Sequence, residues 1–144
     1  MSTLDGGPKV HFQKTDVTDW NQLSAAFDVF EREFGGAPDI VCPGAGVYEP
    51  SFNSFWGDED EASHYKLLDI NLLHPIKMTR LAVRKMRQAG KQGVVVHVSS
   101  ISAQRPSITV PLYSVSKQGV SQFVRSMEPL EELAGIRVVA VAPG

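Results

Sequence analysis

Three short apolar runs, separated by stretches long enough to form helices, constrain the fold of this chain more than any other feature. The runs cover residues 39–42, 93–98 and 136–142, and a fourth strand candidate, at residues 10–17, is more mixed in polarity. Short apolar runs between turn residues are typical of strands buried in a parallel sheet. Because helix-length segments lie between them, we predict an α/β fold whose parallel strands are joined by right-handed crossovers.

The first stretch between these runs carries clear helix signals. Asp19, followed three residues later by Gln22, predicts a helix start, and Gly35-Gly36 predicts its end. One apolar stripe joins the residues expected to face the core, namely Leu23, Ala26, Phe27, Phe30 and Phe34. The segment therefore reads as an amphipathic helix packed on the sheet.

Two further helices are expected, at residues 62–89 and 112–133. Pro75 is expected to kink the first, and Pro129 interrupts the second. Residues 47–60 carry aromatic and acidic side chains and are interpreted as a surface lid. The inner face predicted for the first of these helices consists of Leu68, Leu72, Leu73, Ile76, Ala82 and Met86.

Composition narrows the class of protein. A chain of 144 residues with 42% hydrophobic content suits one globular domain, and 14 basic against 16 acidic residues give no charge surplus for nucleic acid or a membrane surface. The single cysteine, Cys42, lies in an apolar run and is expected to be a buried free thiol in a reducing compartment. There is no secretory leader pattern or run of about 20 apolar residues, so we expect a cytoplasmic protein.

The candidate catalytic residues begin where the apolar run at residues 94–98 ends. Ser100 follows that run, and Tyr113 and Lys117 lie four residues apart at the start of a predicted helix. Residues four apart share a helix face, so the ammonium of Lys117 can approach the phenol of Tyr113 and favour its ionised form. A phenol whose ionised form is favoured by a neighbouring cation can act as a general acid or base near neutral pH. An isolated Tyr-x-x-x-Lys is more often a packed ring beside a solvated lysine.

The order of several motifs resembles the short-chain dehydrogenase/reductase family, whose serine, tyrosine and lysine have the spacing of Ser100, Tyr113 and Lys117. The softer resemblance within that family is to the branch that includes 15-hydroxyprostaglandin dehydrogenase-like enzymes. Beyond the trio, the matching positions are Asp16-Val17 after the first strand candidate, Gly44-Ala45-Gly46 in the turn after residue 42, Asn71 in the long helix, and Pro143-Gly144 after the last strand. The resemblance implies a partial Rossmann-type, doubly wound parallel sheet containing the family's third to sixth strands.

The resemblance also implies the roles of these residues. Tyr113 would exchange a proton with the substrate oxygen, Lys117 would assist it and hold the nicotinamide ribose, and Ser100 would bind the reacting oxygen. Asn71 would anchor a relay water. The substrate would be an alcohol or carbonyl compound of the small-molecule class, and the whole enzyme would be a homo-oligomer. The residues that would bind NAD or NADP are Asp16, Val17, Gly44, Ala45, Gly46, Tyr113, Lys117, Pro143 and Gly144. No metal is required.

Local alternatives remain for individual residues. Asp16 is also an ordinary turn-former before a helix, Asn71 is also a helix asparagine that bonds locally, and Ser99 adjoins Ser100. Pro43 departs from the family's asparagine, because proline has neither a backbone donor nor a polar side chain to bridge strands. His97 is expected to be a packed strand histidine rather than a metal ligand.

The sequence lacks the glycine-rich turn with which the family binds the dinucleotide pyrophosphate. We therefore expect residues 1–144 to be a single, incomplete domain of a longer enzyme. Without a site for the pyrophosphate, this domain is not expected to bind a dinucleotide by itself. In the family's strand order 3-2-1-4-5-6, the segment at residues 10–17 would have two absent strands beside it. The alternative is a non-catalytic homologue that acts as a binding or dimerisation module.

Overall fold

A three-stranded parallel sheet lies at the centre of the computed structural model, which describes residues 7–49, 54–59 and 64–144. Strands β1 (Ile40–Val41), β2 (Gly93–Val98) and β3 (Ile136–Val141) follow one another in that order across the sheet. Ile40 pairs with Val94, and Gly93 pairs with Ile136. The carboxyl ends of the strands therefore meet at one edge, which confirms the predicted α/β class and Rossmann-type parallel sheet.

Helices precede and follow these strands. They are α1 (Trp20–Phe34), α2 (Lys66–Leu68), a π-helical turn (Asp69–Leu73), α3 (His74–Gln88), a 3-10 turn (Ile101–Ala103), α4 (Pro111–Ser126) and α5 (Leu130–Ala134). The predicted cap of α1 is confirmed, since Asp19 Oδ1 accepts the backbone N–H groups of Asn21 and Gln22 at 2.9 and 3.1 Å. Gly35 ends α1 in the left-handed region with φ 81°, where glycine has no steric penalty. In the part of the chain that the structure describes, no helix is long and apolar enough to cross a bilayer.

The strand predicted at residues 10–17 is wrong. This segment runs without strand pairing, and the side chains of Val10 and Phe12 are 71% and 85% exposed. An extended segment becomes a strand only when a neighbouring edge accepts its backbone groups. Here the polar pattern gives little reason to bury the segment, and it does not join the free edge of β1.

The long helix predicted at residues 62–89 starts later than predicted, because residues 64 and 65 are not helical, and its inward face differs from the prediction. Its described part runs from Lys66 to Gln88, whereas residues 62 and 63 lie outside the described residues. The π-helical turn adds a residue to the helical repeat and rotates the preceding face, so Leu67 is fully buried and Leu73 is 44% exposed. Pro75 stands in the first turn of α3 immediately after that turn, where a missing N–H costs little.

The last predicted helix is divided in two. Helix α4 ends at Ser126, and Pro129 stands as the N-cap of α5, which ends at Gly135 with φ 66°. The first residues of a helix have no partner for their N–H groups within the helix, and proline has no N–H. Proline is therefore favourable at the start of α5, which explains why Pro129 interrupts the predicted helix.

One apolar core joins the sheet to α1 and α3. Its buried members are Leu23, Phe27, Val41, Leu81, Ala82, Met86, Val95, Ile136 and Val138. The expectation that Cys42 is buried is wrong, because side chains alternate along a strand and Cys42 follows Val41 onto the outward side that Ile40 also occupies.

His97 is the packed strand histidine that the sequence predicted. It is 1% exposed, and its Nε2 lies 2.9 Å from Thr79 Oγ1. That hydroxyl already donates its hydrogen to the Pro75 carbonyl, so Nε2–H of His97 must donate to Thr79. Nδ1 of His97 is then a buried acceptor with no partner among the described residues, and burial lowers the pKa of His97 to about 4.

The stability of the chain should consequently fall as the pH is lowered from 6.5 towards 4. The folded pKa of His97 lies below the ordinary value of 6.5, so the unfolded chain binds the proton first. The stabilisation is complete above pH 6.5 and is lost through this window, by up to roughly 3 kcal/mol. Urea unfolding of the wild type and of His97→Leu between pH 6.5 and 4 measures this loss. If the free energy of unfolding depended on pH equally in both proteins, this account would be contradicted.

Gly93 should be required for packing at the start of β2. A Cβ built there would lie 2.7 Å from Met86 Sδ and 2.9 Å from the Asp39 carbonyl oxygen, and the latter belongs to backbone that pairs with β2. We expect Gly93→Ala to lower the free energy of unfolding by about 1–3 kcal/mol.

The matched control is Gly36→Ala, because a Cβ at Gly36 meets nothing within 4 Å. Urea unfolding of both variants compares them. A Gly93→Ala protein as stable as the Gly36→Ala protein would show that the close approach is not a constraint.

Candidate active site

The predicted site residues, apart from Asp16 and Val17, gather where the parallel strands end. Ser99 and Ser100 follow β2, and Pro143 follows β3, with the N–H of Ile101 donating to the Pro143 carbonyl at 3.0 Å. The turn after β1 reaches the same place, because a Cβ at Gly46 would lie 3.5 Å from Asn71 Oδ1 and 3.8 Å from Lys117 Nζ. The glycine turn, Asn71 and Lys117 are thus brought together as the sequence predicted.

Lys117 is the buried cation of this cluster. Its side chain lies on α4, it is 6% exposed, and Nζ donates to the Val98 carbonyl at 2.8 Å. Nζ also lies 5.5 Å from the centroid of the Tyr113 ring. Burial lowers the pKa of Lys117 because removal from water disfavours the ammonium. The lysine predicted to assist Tyr113 is therefore held next to it by a backbone contact.

Asn71 occupies the π-helical turn and is 2% exposed. Its Oδ1 accepts the N–H of Val47 at 2.8 Å, and its Nδ2 donates to the Val47 carbonyl at 2.8 Å and to Ser116 Oγ at 3.4 Å. These partners are 24 and 45 residues away along the chain, so the amide of Asn71 does not make the local contacts that the alternative interpretation expects. The backbone carbonyl of Asn71 lacks its usual α-helical donor, because the residue four positions later is Pro75, which has no N–H.

Tyr113 lies in the first turn of α4 and is held through its backbone. Its N–H donates to Glu49 Oε2 at 2.9 Å, and its carbonyl accepts from Ser116 Oγ at 2.7 Å. The ring packs edge-on against Tyr48, with 5.0 Å between centroids. The phenol is therefore carried by a backbone segment held at both its N–H and its carbonyl, and its ring is near both Tyr48 and the Lys117 ammonium.

The two serines after β2 have different contacts. Ser99 Oγ lies 2.7 Å from Ser121 Oγ and donates to the Lys117 carbonyl at 3.2 Å, so this hydroxyl joins β2 to α4. Ser100 Oγ accepts the N–H of Ser102 at 3.1 Å as the cap of the 3-10 turn. That contact leaves the Ser100 hydroxyl hydrogen for another acceptor, which favours Ser100 over Ser99 as the residue that binds a substrate oxygen.

The contacts of Asp16 and Val17 do not join these two residues to the cluster. Asp16 Oδ1 accepts from the N–H and the hydroxyl of Thr18 at 2.9 and 2.8 Å, and these bonds lower the pKa of Asp16. Val17 packs against the apolar core. These are the contacts of a turn before a helix, as the alternative interpretation of Asp16 expects.

Glu49 is the residue that the sequence analysis missed. Its carboxylate is fully buried, and it accepts backbone N–H groups from both Phe55 and Tyr113. In sequence it is one acidic residue in a loop predicted to be a surface lid. Its neighbours in sequence, Tyr48 and a proline, carry no signal that identifies its distant backbone partner.

The lid interpretation holds for part of that loop. Tyr48, Phe55 and Trp56 are exposed, and Trp56 Nε1 donates to the Ile108 carbonyl at 2.7 Å. Phe52 and the residues at 60–63 lie outside the described residues. The described aromatics thus border the start of α4, and Glu49 is the inward-facing exception.

Comparison with known proteins gives one family. A model of short chain dehydrogenase matches residues 2–144. The short-chain dehydrogenase/reductase prx4 of Penicillium rubens is 35% identical over 136 residues, which cover 92% of this chain and 40% of that protein. The cis-4-hydroxycyclohexanecarboxylate dehydrogenase of Sinomonas cyclohexanicum is 34% identical over 140 residues, with coverage of 97% and 55%.

The branch named from the sequence is among the matches. Human 15-hydroxyprostaglandin dehydrogenase [NAD(+)] is 31% identical over 140 residues, which cover 94% of this chain and 48% of that enzyme. A short-chain dehydrogenase/reductase from Mycobacterium marinum superposes with a TM-score of 0.80 at 26% identity, over 91% of this chain and 52% of that structure. The chain thus spans about half the length of the relatives it matches. Together with the parallel sheet and the cluster at its carboxyl edge, these matches show that the chain belongs to the short-chain dehydrogenase family.

Proposed function

We propose that the protein carrying this chain is an NAD- or NADP-dependent oxidoreductase that interconverts an alcohol and a ketone or aldehyde. Residues 1–144 would form one incomplete domain of it, in the cytoplasm. The observation that carries the proposal is the burial of the Lys117 ammonium 5.5 Å from the Tyr113 ring. A buried cation favours the ionised form of a neighbouring phenol, which suits proton exchange with a substrate oxygen.

The four catalytic residues have complementary tasks in this mechanism. Tyr113 gives a proton to the carbonyl oxygen of the substrate, or takes one from the alcohol, while Ser100 donates a hydrogen bond to the same oxygen. Lys117 would stabilise the phenolate, and its remaining N–H groups would hold the ribose hydroxyls of a bound cofactor. Asn71 holds a relay water through its backbone carbonyl, for which Pro75 supplies no α-helical donor.

The residues at the sheet edge fit the nicotinamide end of a dinucleotide. The ammonium of Lys117 is a donor suited to ribose oxygens, and Gly46 leaves space beside Asn71 and Lys117 that a side chain would occupy. Gly44, Ala45, Gly46, Pro143 and Gly144 are the proposed backbone contacts, and Asp16 and Val17 the proposed adenine-side contacts. The nicotinamide would supply the hydride when bound.

The activities for which two relatives are named support an alcohol as substrate. The two are galactitol 2-dehydrogenase of Agrobacterium fabrum and (+)-borneol dehydrogenase 1 of Salvia officinalis, at 30% and 32% identity. Galactitol and borneol differ greatly in polarity. These relatives therefore support oxidation of an alcohol as the class of reaction, and they do not favour a particular alcohol.

A binding or dimerisation module is the second candidate. A groove of about 610 Å³ beside α3 and the end of α4 combines the apolar residues Ile76, Val83, Phe123 and Met127 with three arginines, Arg80, Arg84 and Arg87. Apolar area surrounded by charged side chains is typical of a surface that binds another protein, and the enzyme itself is proposed to be a homo-oligomer. A dimer that lacks turnover in the whole protein would favour the module over the enzyme.

Replacement of Tyr113 by phenylalanine tests the enzyme. The variant keeps the ring and its contact with Tyr48 but removes the proton that is exchanged, so we expect kcat of the whole protein to fall by about 10²–10⁴-fold. Cofactor-linked absorbance at 340 nm with a panel of alcohols measures it. The matched control is Tyr48→Phe, which removes a hydroxyl from the adjacent ring and should keep kcat within about threefold. Near-wild-type turnover in Tyr113→Phe would refute the role of the phenol.

A further inference from the structure

Glu49 is a buried carboxylate that accepts hydrogen bonds from two backbone N–H groups of the described residues. The residue is 0% exposed, its Oε1 accepts the N–H of Phe55 at 2.9 Å, and its Oε2 accepts the N–H of Tyr113 at 2.9 Å. Burial of a carboxylate is costly unless hydrogen bonds replace water at both oxygens. Hydrogen bonds to an ionised acceptor are about twice as strong as neutral ones, so these two contacts fix both backbone groups firmly.

The contact with Tyr113 replaces a local helix cap. The first amides of a helix have no partner within the helix, and the N-cap of α4, Val110, offers no side-chain acceptor. Pro111 removes one of the amides that would need a partner. Glu49, which lies 64 residues earlier in the chain, supplies the acceptor and places a negative group at the positive end of α4.

We propose that Glu49 is a positioning residue that sets the location of Tyr113 for catalysis; this rests on the proposed function. Glu49 joins Tyr113 to the aromatic loop, since the same carboxylate holds Phe55 and the adjoining Tyr48 packs on the Tyr113 ring. The Trp56 indole bound to the Ile108 carbonyl closes the loop onto the segment before α4. Displacement of a catalytic group by about 1 Å can cost 10²-fold in rate, so this support has a kinetic consequence.

The variant that tests the role is Glu49→Gln, which conserves volume. Glutamine offers one acceptor oxygen, and its NH₂ group would face the second backbone N–H, so one of the two contacts must break. We expect kcat of the whole protein to fall by about tenfold or more with KM changed by less than about twofold, because the reacting phenol and not the binding surface is displaced. Glu49→Asp keeps the charge but is one methylene too short for both contacts, and it should show the same pattern with a smaller loss.

A double-mutant cycle separates positioning from general stability. If Glu49 acts through the Tyr113 phenol, Glu49→Gln should cause no further loss of kcat in the Tyr113→Phe background, within about twofold. Losses that multiply would show that Glu49 acts elsewhere and would overturn the proposal. Glu128→Ala, at an exposed glutamate after α4, is the control and should leave kcat and KM unchanged.

Amide hydrogen exchange tests the contact without any turnover. In Glu49→Gln and Glu49→Asp, one or both of the amides of Phe55 and Tyr113 should exchange about tenfold faster, while the amide of Val95 in the core strand should not change. Unchanged exchange at both sites would refute the contact. If Tyr113→Phe keeps full turnover, the proposed function fails; if Tyr113→Phe is inactive and Glu49→Gln is fully active, only the positioning role fails.

Discussion

The burial of the Lys117 ammonium against the carbonyl of Val98 is the contact on which the arrangement of the site depends. A lysine inside a protein is unfavourable unless it is hydrogen-bonded, and the lowered pKa of Lys117 records that cost. The contact joins α4 to the end of β2, and Ser99 strengthens the same junction through Ser121 and the Lys117 carbonyl. The same contact sets the position of Tyr113, because Tyr113 lies on α4 one helical turn before Lys117.

Polar groups buried around this junction hold the loops that complete the site. Asn71 bonds both backbone groups of Val47 and so fixes the chain after the glycine turn. Ser116 links Asn71 to the Tyr113 carbonyl, while Glu49 holds the Tyr113 amide. A buried polar network whose members are satisfied makes one geometry much more stable than its neighbours. The backbone at Val47, the buried Glu49 and the first turn of α4 together support the ring of Tyr113.

The sequence predicted the parts of the fold that depend on local pattern. The runs at β2 and β3, the cap at Asp19 and the spacing of Tyr113 and Lys117 are all properties of contiguous residues, and the structure has them in place. The strand predicted at residues 10–17 failed because a strand depends on a neighbour that pattern does not reveal.

Other differences have equally specific causes. The inward face of the long helix was misjudged at Leu73 because a π-helical turn changes the repeat that periodicity assumes. The exposure of Cys42 follows from the alternation at the end of β1. Glu49 could not be recognised from its neighbours, because its partner Tyr113 is distant in sequence and is bound through the backbone, which carries no sequence signal.

The central claim is that the buried ammonium of Lys117 makes Tyr113 a catalyst, and Lys117→Met tests it most directly. Methionine fills a similar volume without a charge, so the variant should keep the wild-type far-UV circular dichroism spectrum while kcat of the whole protein falls by about 10²-fold or more. A folded Lys117→Met protein that turns over its alcohol within about threefold of the wild-type rate would contradict the account.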